Sequence, residues 1–314
     1  MPRLAIRYVL VALAAAVIAM MGGLLMMPSH YQLEGLGLGV PYRIWLQVPR
    51  YKGFPYEIQS QADVILKRAE GFLSHDGSQV ASFNALQSTL PVTVDPWLYQ
   101  ALEAAQRISV LTGGAYDVTT LLVGGVRQPG TYRYLELLSE NRIRKTVPEL
   151  TIEVSSMLRG LAVDQIAYLL TDEGIPDFVI EVGESIRVQG RPAPDRKWRI
   201  GVSYPGSKTA NLAMRLAVEN RSVATRSLYQ QAVVDPRTGL PVLGPLASVT
   251  VVSNSCMWAE ALATALMAMT VNDGLPIATQ FPDTEVLFIS RGTAGHPWVM
   301  TTTPGFAIFV EAIS

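Results

Sequence analysis

The sequence predicts an α+β (mixed α/β) fold preceded by one N-terminal transmembrane helix. Three observations lead there: a charge-free apolar run from Tyr8 to Met27, long helical segments with marked ends, and runs of strands linked by short turns between them. The 314 residues divide into an anchor (1–27), a short linker (28–37) ending in the glycine-rich "GLGLG", and one domain (38–314).

The Tyr8–Met27 run follows Arg3 and Arg7. At ~1.5 Å per helical residue it reaches across the ~30 Å of a bilayer's hydrocarbon. The basic flank stays cytoplasmic, so the expected location is the inner (cytoplasmic) membrane, single-pass, with the soluble domain on the periplasmic (extracytoplasmic) side. A cleaved signal peptide is the rival reading, but the run is long for one and no A-x-A cleavage site directly follows "GGLLMMPSH".

Within the domain, "YRIWLQV" (Tyr42 to Val48) alternates like a strand, and Gln59 to Leu73 has helical spacing through Ala62, Ile65, Leu66 and Ala69. "DPWLYQALEAAQRISVLTGG" is a helix: Asp95 caps it, Pro96 takes its first position, and Gly113–Gly114 end it. Short strands follow at "RIRKT" and "LTIEV", then a helix over "VDQIAYLLTDEG" stopped by Gly174. Strands are expected at "DFVIEV", "IRVQG", "WRIGVSY", "NLAMRLAV", "SVATRS" and "ASVTVVS". A helix from Met257 to Met269 comes next, and "TEVLFIS" and "GFAIFV" close the chain as two more strands.

Composition removes several functions. A net charge of -1 with 16% charged residues leaves no basic field for nucleic acid. The single cysteine, Cys256, excludes an internal disulfide, and three histidines make no histidine-rich metal centre.

The chemistry-bearing pattern is "MWAEALATALMAM". Glu260 and Thr264 stand at i and i+4 and share a helix face among small and apolar neighbours. Two such oxygens suit a hard cation such as Mg²⁺, bound together with substrate phosphates. The plainer reading is a buried helix with Thr264 bonded back to a carbonyl and Glu260 at its rim. "GAYD" (Gly114 to Asp117) reads as a helix C-cap leading into a strand. "EVSSMLRG" (Glu153 to Gly160) reads as a strand-to-helix turn with Ser156 as cap and Arg159 solvated. "VDPRTG" is the clearest turn in the chain.

Taken together, "LTGGAYDVTTLLV", "LRGLAVDQIAYLL", "VDPRTGLPV" and "ASVTVVSNSCMWAEALATALMAM" occur in an order and spacing that resembles the ApbE family, the FAD:protein FMN transferases. The resemblance covers nearly all of the chain after the anchor. It implies an ApbE-like flavin transferase fold that breaks the FAD pyrophosphate with Mg²⁺. FMN is then attached by a phosphoester to a threonine or serine of a flavin-acceptor protein, a membrane redox subunit. It places Leu38, Ala115, Tyr116, Asp117, Glu153, Arg159 and Val234 at the cofactor. The metal ligands it implies are Glu260, Thr264 and Ser156, the last through its main-chain oxygen.

Several positions depart from the family pattern. Glu153 and Glu260 replace aspartates, Arg159 replaces a lysine, and "LGV" (Leu38 to Val40) replaces "MGT". The hairpin before "DPRTG" is shorter, and Ala232 stands where the family has a histidine. His75 enters a shortened loop, "LSHDG", where a solvated bystander is the simplest reading. These departures keep two alternatives open: a catalytically impaired flavin-binding or assembly protein lacking transferase activity, and a flavin-independent membrane-tethered scaffold.

Overall fold

The computed structural model describes residues 13–24, 28–49, 55–73, 76–207, 211–229, 232–293 and 296–311. Eight strands form one antiparallel sheet: β1 (Pro28–Gly37), β2 (Val40–Pro49), β3 (Phe178–Val182), β4 (Ser185–Gln189), β5 (Arg221–Ser227), β6 (Leu246–Ser253), β7 (Glu285–Thr293) and β8 (His296–Thr302). Their order in space is their order in the chain. The helices enter as two insertions: α1 (Tyr56–Glu70), α2 (Gln79–Ala85), α3 (Pro96–Leu111) and α4 (Ser155–Asp172) between β2 and β3, and α5 (Cys256–Met267) and α6 (Val271–Ala278) between β6 and β7.

Strand alternation builds the layers. On one face, Phe178, Ile180 and Val182 of β3 pack with Ile44 and Leu46 of β2 against Ala62 and Leu66 of α1 and Ile166 and Leu170 of α4. Further along that face, Ala224, Val249, Val251 and Phe288 meet Leu262 and Leu266 of α5. On the other face, Val179, Val188, Val223, Val252, Leu287 and Ile289 pack under a hairpin of Trp198–Ser203 and Leu212–Val218 and under Phe306 and Phe309. With both faces covered, β6 is buried along its whole length, which is why "ASVTVVS" is apolar without strict alternation.

Three expectations are corrected. The 28–37 linker is strand β1, paired residue for residue with β2 from Pro28↔Pro49 to Gly37↔Val40. Its glycines are packing positions: a Cβ on Gly35 would lie 2.6 Å from the Tyr42 ring, and one on Gly37 2.9 Å from Leu66. The sheet therefore begins before residue 38. "GFAIFV" is not a strand; Pro304–Phe309 is a 3-10 turn that drops Phe306 and Phe309 into the core. The "VDQIAYLLTDEG" helix starts earlier, at Ser155, because Glu153 accepts from the Ser155 N–H at 2.8 Å and so satisfies an end-of-helix donor.

Residues 13–24 are helical with exposed side chains, and the rest of the 8–27 run lies outside the described residues. Among the described residues no helix is long and apolar enough to cross a membrane.

Candidate active site

A cavity of about 430 Å³ opens where the β1–β2 turn, the start of α4, β5, α5 and the segment before the "DPRTG" turn converge. It is lined by every expected cofactor residue (Leu38, Ala115, Tyr116, Asp117, Glu153, Arg159, Val234) and by Ser156 and Thr264. Glu260 lies just behind the wall and is 4% exposed. Sequence positions far apart are thus brought to one place.

Each wall is held by identifiable bonds. Leu38 and Gly39 form the two-residue turn between β1 and β2, both at positive φ (53° and 74°). Such a turn matches strand twist but costs a non-glycine residue about 1–2 kcal/mol. The Asp117 carboxylate accepts from Thr119 N–H (2.9 Å), Thr119 Oγ1 (2.6 Å), Thr131 Oγ1 (3.3 Å) and Tyr132 N–H (3.1 Å). That occupancy makes Asp117 the knot of its loop. The Tyr116 hydroxyl sits 2.8 Å from Ser156 Oγ, and burial pushes its phenol well above the ordinary range. Ser156 therefore joins the loop to α4 instead of capping the helix.

Glu153 is aimed by the short strand before it. Asn84 brackets Ile152, donating to its carbonyl (2.9 Å) and accepting from its N–H (2.7 Å). The buried Lys145 ammonium donates to the carbonyls of Phe83 (3.1 Å), Asn84 (3.4 Å) and Leu150 (3.1 Å). The "DPRTG" turn is closed by Gly239 N–H to Asp235 O at 2.8 Å. Arg237 grips the Asp235 carboxylate with two nitrogens (2.9 and 2.8 Å) and donates to Ala268 O at 2.6 Å. The wall carrying Ala232, Val234 and Pro236 is thereby fixed to the end of α5. Burial raises the Asp235 pKa, but the Arg237 bonds outweigh it and hold the carboxyl below the usual range.

The start of α5 is set by Asp164 of α4. Its carboxylate accepts from Cys256 N–H (2.8 Å), Met257 N–H (3.0 Å) and Ser255 Oγ (2.7 Å), a partly buried acid whose pKa desolvation pushes up. On the next turn, the Ser185 hydroxyl donates to Glu260 Oε1. Glu260 Oε2 is 3.9 Å from Arg159 Nη2 and 3.8 Å from Arg226 Nη2. Thr264 Oγ1 donates to Glu260 O (2.9 Å), the carbonyl bond the plainer reading expects, and accepts from Arg226 Nε (3.3 Å) and Nη2 (3.2 Å).

Arg226 is the residue sequence reasoning missed, along with Arg127, whose Nη2 donates to Thr119 O at 3.0 Å on the same wall. The available signal was a lone cation in "SVATRS", a segment whose other residues are small, apolar or hydroxylated. Arg226 stands two residues from Ala224, so strand parity turns it toward the helices. His75 lies outside the described residues.

The donor set does not suit a divalent ion as it stands. An ion at ~2.1 Å from Thr264 Oγ1 would sit within about 6 Å of the Arg226 guanidinium. At an effective dielectric near 20 that repulsion is on the order of 6 kcal/mol, which offsets most of the attraction the single Glu260 carboxylate would exert on the ion. An anion is better served. Three guanidinium groups line the cavity, and the buried Nε atoms of Arg127 and Arg159 have no hydrogen-bond partner among the described residues. Buried unpaired donors of this kind favour an acceptor-rich ligand such as a diphosphate.

The solved flavin transferase ApbE from Vibrio cholerae has the same fold (TM-score 0.79, 24% identical, covering 90% of this chain and 99% of that one). So does the apo flavinyl transferase ApbE of Pseudomonas stutzeri (TM-score 0.80, 22% identical, covering 92% and 99%). In sequence, a FAD:protein FMN transferase of Vibrio cholerae is 28% identical over 302 residues, covering 86% of this chain and 90% of the relative. The Escherichia coli K12 enzyme of the same name is 25% identical over 274 residues, covering 76% and 78%. The model of the ApbE family matches residues 38–288, and the chain therefore belongs to the ApbE family.

Proposed function

We propose that this chain transfers FMN from FAD to a hydroxyl of another protein. The observation that carries the reading is the convergence of "GAYD", Glu153, Arg159 and the "DPRTG" wall on one cavity with three arginines; relatives named FAD:protein FMN transferase support it. A threonine or serine oxygen of the acceptor attacks the phosphorus on the riboflavin side of FAD. A new P–O ester forms, the bridging P–O bond breaks, and its electron pair leaves on AMP; the hydroxyl proton passes to solvent or phosphate. The chain's own residues orient the diphosphate and neutralise charge spreading over its oxygens.

The charge-free run Tyr8 to Met27 behind Arg3 and Arg7 supports tethering to the inner membrane, with catalysis on the extracytoplasmic side and a membrane redox subunit as acceptor. Mg²⁺ is not carried into this reading, because the oxygens of Glu260 and Thr264 face guanidinium groups.

The test is co-expression with a membrane redox subunit, followed by in-gel flavin fluorescence of the denatured acceptor. A fluorescent acceptor, lost with the Arg159→Ala variant, supports the transfer. Saturable FAD binding with no labelled acceptor overturns it in favour of a flavin-binding relative, a reading Ala232 on the cavity wall also supports, since a methyl group moves no proton. No FAD binding removes both.

A further inference from the structure

We propose that the Arg226 guanidinium is a built-in replacement for a divalent cation: fixed between Glu260 and Thr264, it supplies the positive charge that holds the FAD diphosphate. This rests on the reading that FAD is the substrate of the cavity.

Three observations converge on Arg226. Its Nε and Nη2 both contact Thr264 Oγ1, and Nη2 is also 3.8 Å from Glu260 Oε2, so it stands on the two oxygens expected to ligate a metal. Those oxygens are not free to turn away. Ser185 holds the other carboxylate oxygen, and the Thr264 hydroxyl hydrogen is spent on Glu260 O. The residue is only 9% exposed, yet it lines the cavity, so its charge is directed at a ligand and little screened by bulk water.

Three guanidinium groups, Arg127, Arg159 and Arg226, share the site with three carboxylates, Asp117, Glu153 and Glu260. Arg159 and Arg226 both reach the same Glu260 oxygen only at 3.9 and 3.8 Å, longer than a direct hydrogen bond. A diphosphate oxygen at the cavity can therefore compete for their N–H groups. The planar fork of arginine also bonds two phosphate oxygens at once, which an ammonium cannot do.

The experiment is equilibrium FAD binding to the purified protein by flavin fluorescence, in excess EDTA and again in excess Mg²⁺. The expected result is an affinity that differs less than about twofold between the two conditions. Arg226→Gln should bind at least about tenfold more weakly in EDTA, the loss of one charge-assisted contact. With the guanidinium gone, Glu260 and Thr264 are released, and Mg²⁺ should restore part of that loss. Arg226→Lys should fall between the two.

Wild-type binding that requires Mg²⁺ overturns the proposal while leaving FAD as the ligand. So does an Arg226→Gln protein that is less stable to heat but binds FAD in EDTA like the wild type, which would make Arg226 structural. Absence of FAD binding under both conditions removes the underlying assignment instead. The wild-type comparison needs no variant, so a folding failure cannot hide the answer.

Discussion

Gly160 of α4 lies in backbone contact with Met257 of α5: a Cβ placed on Gly160 would come within 2.6 Å of Met257 N and Cα and of Cys256 O. The two helices cross here because one of them carries no side chain. The crossing sits next to Arg159 and one turn before Glu260, so it sets the separation of the cation and the carboxylate. Gly160→Ala should therefore destabilise the fold by about 3 kcal/mol, the usual cost of overpacking. Urea unfolding measures it, and an unchanged midpoint would show that the helices slide apart freely.

One turn further along α4, Asp164 receives two backbone N–H groups and a hydroxyl from the start of α5. Asp164→Ala leaves those buried donors without acceptors and should cost about 2–3 kcal/mol. Asp164→Asn keeps one oxygen and should cost clearly less. Equal losses in the two variants would place the effect in packing instead.

Asp235 gives a pH dependence with a definite sign. Its carboxyl titrates lower in the native protein than in the unfolded chain, where a value near 3.9 is ordinary. It therefore adds stability above the unfolded value, and that contribution is lost as pH falls through the native one. Thermal midpoints of wild type and Asp235→Asn should differ most near neutrality and converge below about pH 4. A constant difference down to pH 2.5, well under the unfolded ~3.9, would mean the ionised Asp235–Arg237 pair does not carry the turn.

Ala232 supplies a test by addition. An imidazole at this wall, in Ala232→His, would take the acceptor hydroxyl's proton. If proton removal limits transfer, the rate should rise about tenfold or more, and rise with pH through a value near 6.5. A pH-independent rate equal to wild type, measured by acceptor fluorescence, would mean proton transfer is not limiting.

Local chemistry was legible in the sequence; partnerships across the fold were not. Asp95 and Pro96 begin α3 as their types dictate, with Asp95 Oδ1 accepting from Trp97 N–H at 2.8 Å. The "DPRTG" turn likewise follows from its own five residues. Ser185 and Arg226 escaped because their meaning depends on Glu260 and Thr264, 75 and 38 residues away, reached only when the sheet assembles. Strand β1 was misread because its glycines imitate a linker, whereas they make room for Tyr42 and Leu66. "GFAIFV" has a strand's composition, but Pro304 opens it and its two phenylalanines point into one core, which a 3-10 turn allows. Glu260 and Thr264 were correctly placed on one helix face; that the arginine of "SVATRS" would meet them there was not readable from either segment alone.

Lys145 has a further use. Its amine is sealed beneath three carbonyls that fix the short strand leading into Glu153, so reagents that acylate amines can reach it only when that strand lets go. Timed acylation followed by peptide mass mapping would read how often the floor beneath the cavity opens, with no ligand needed.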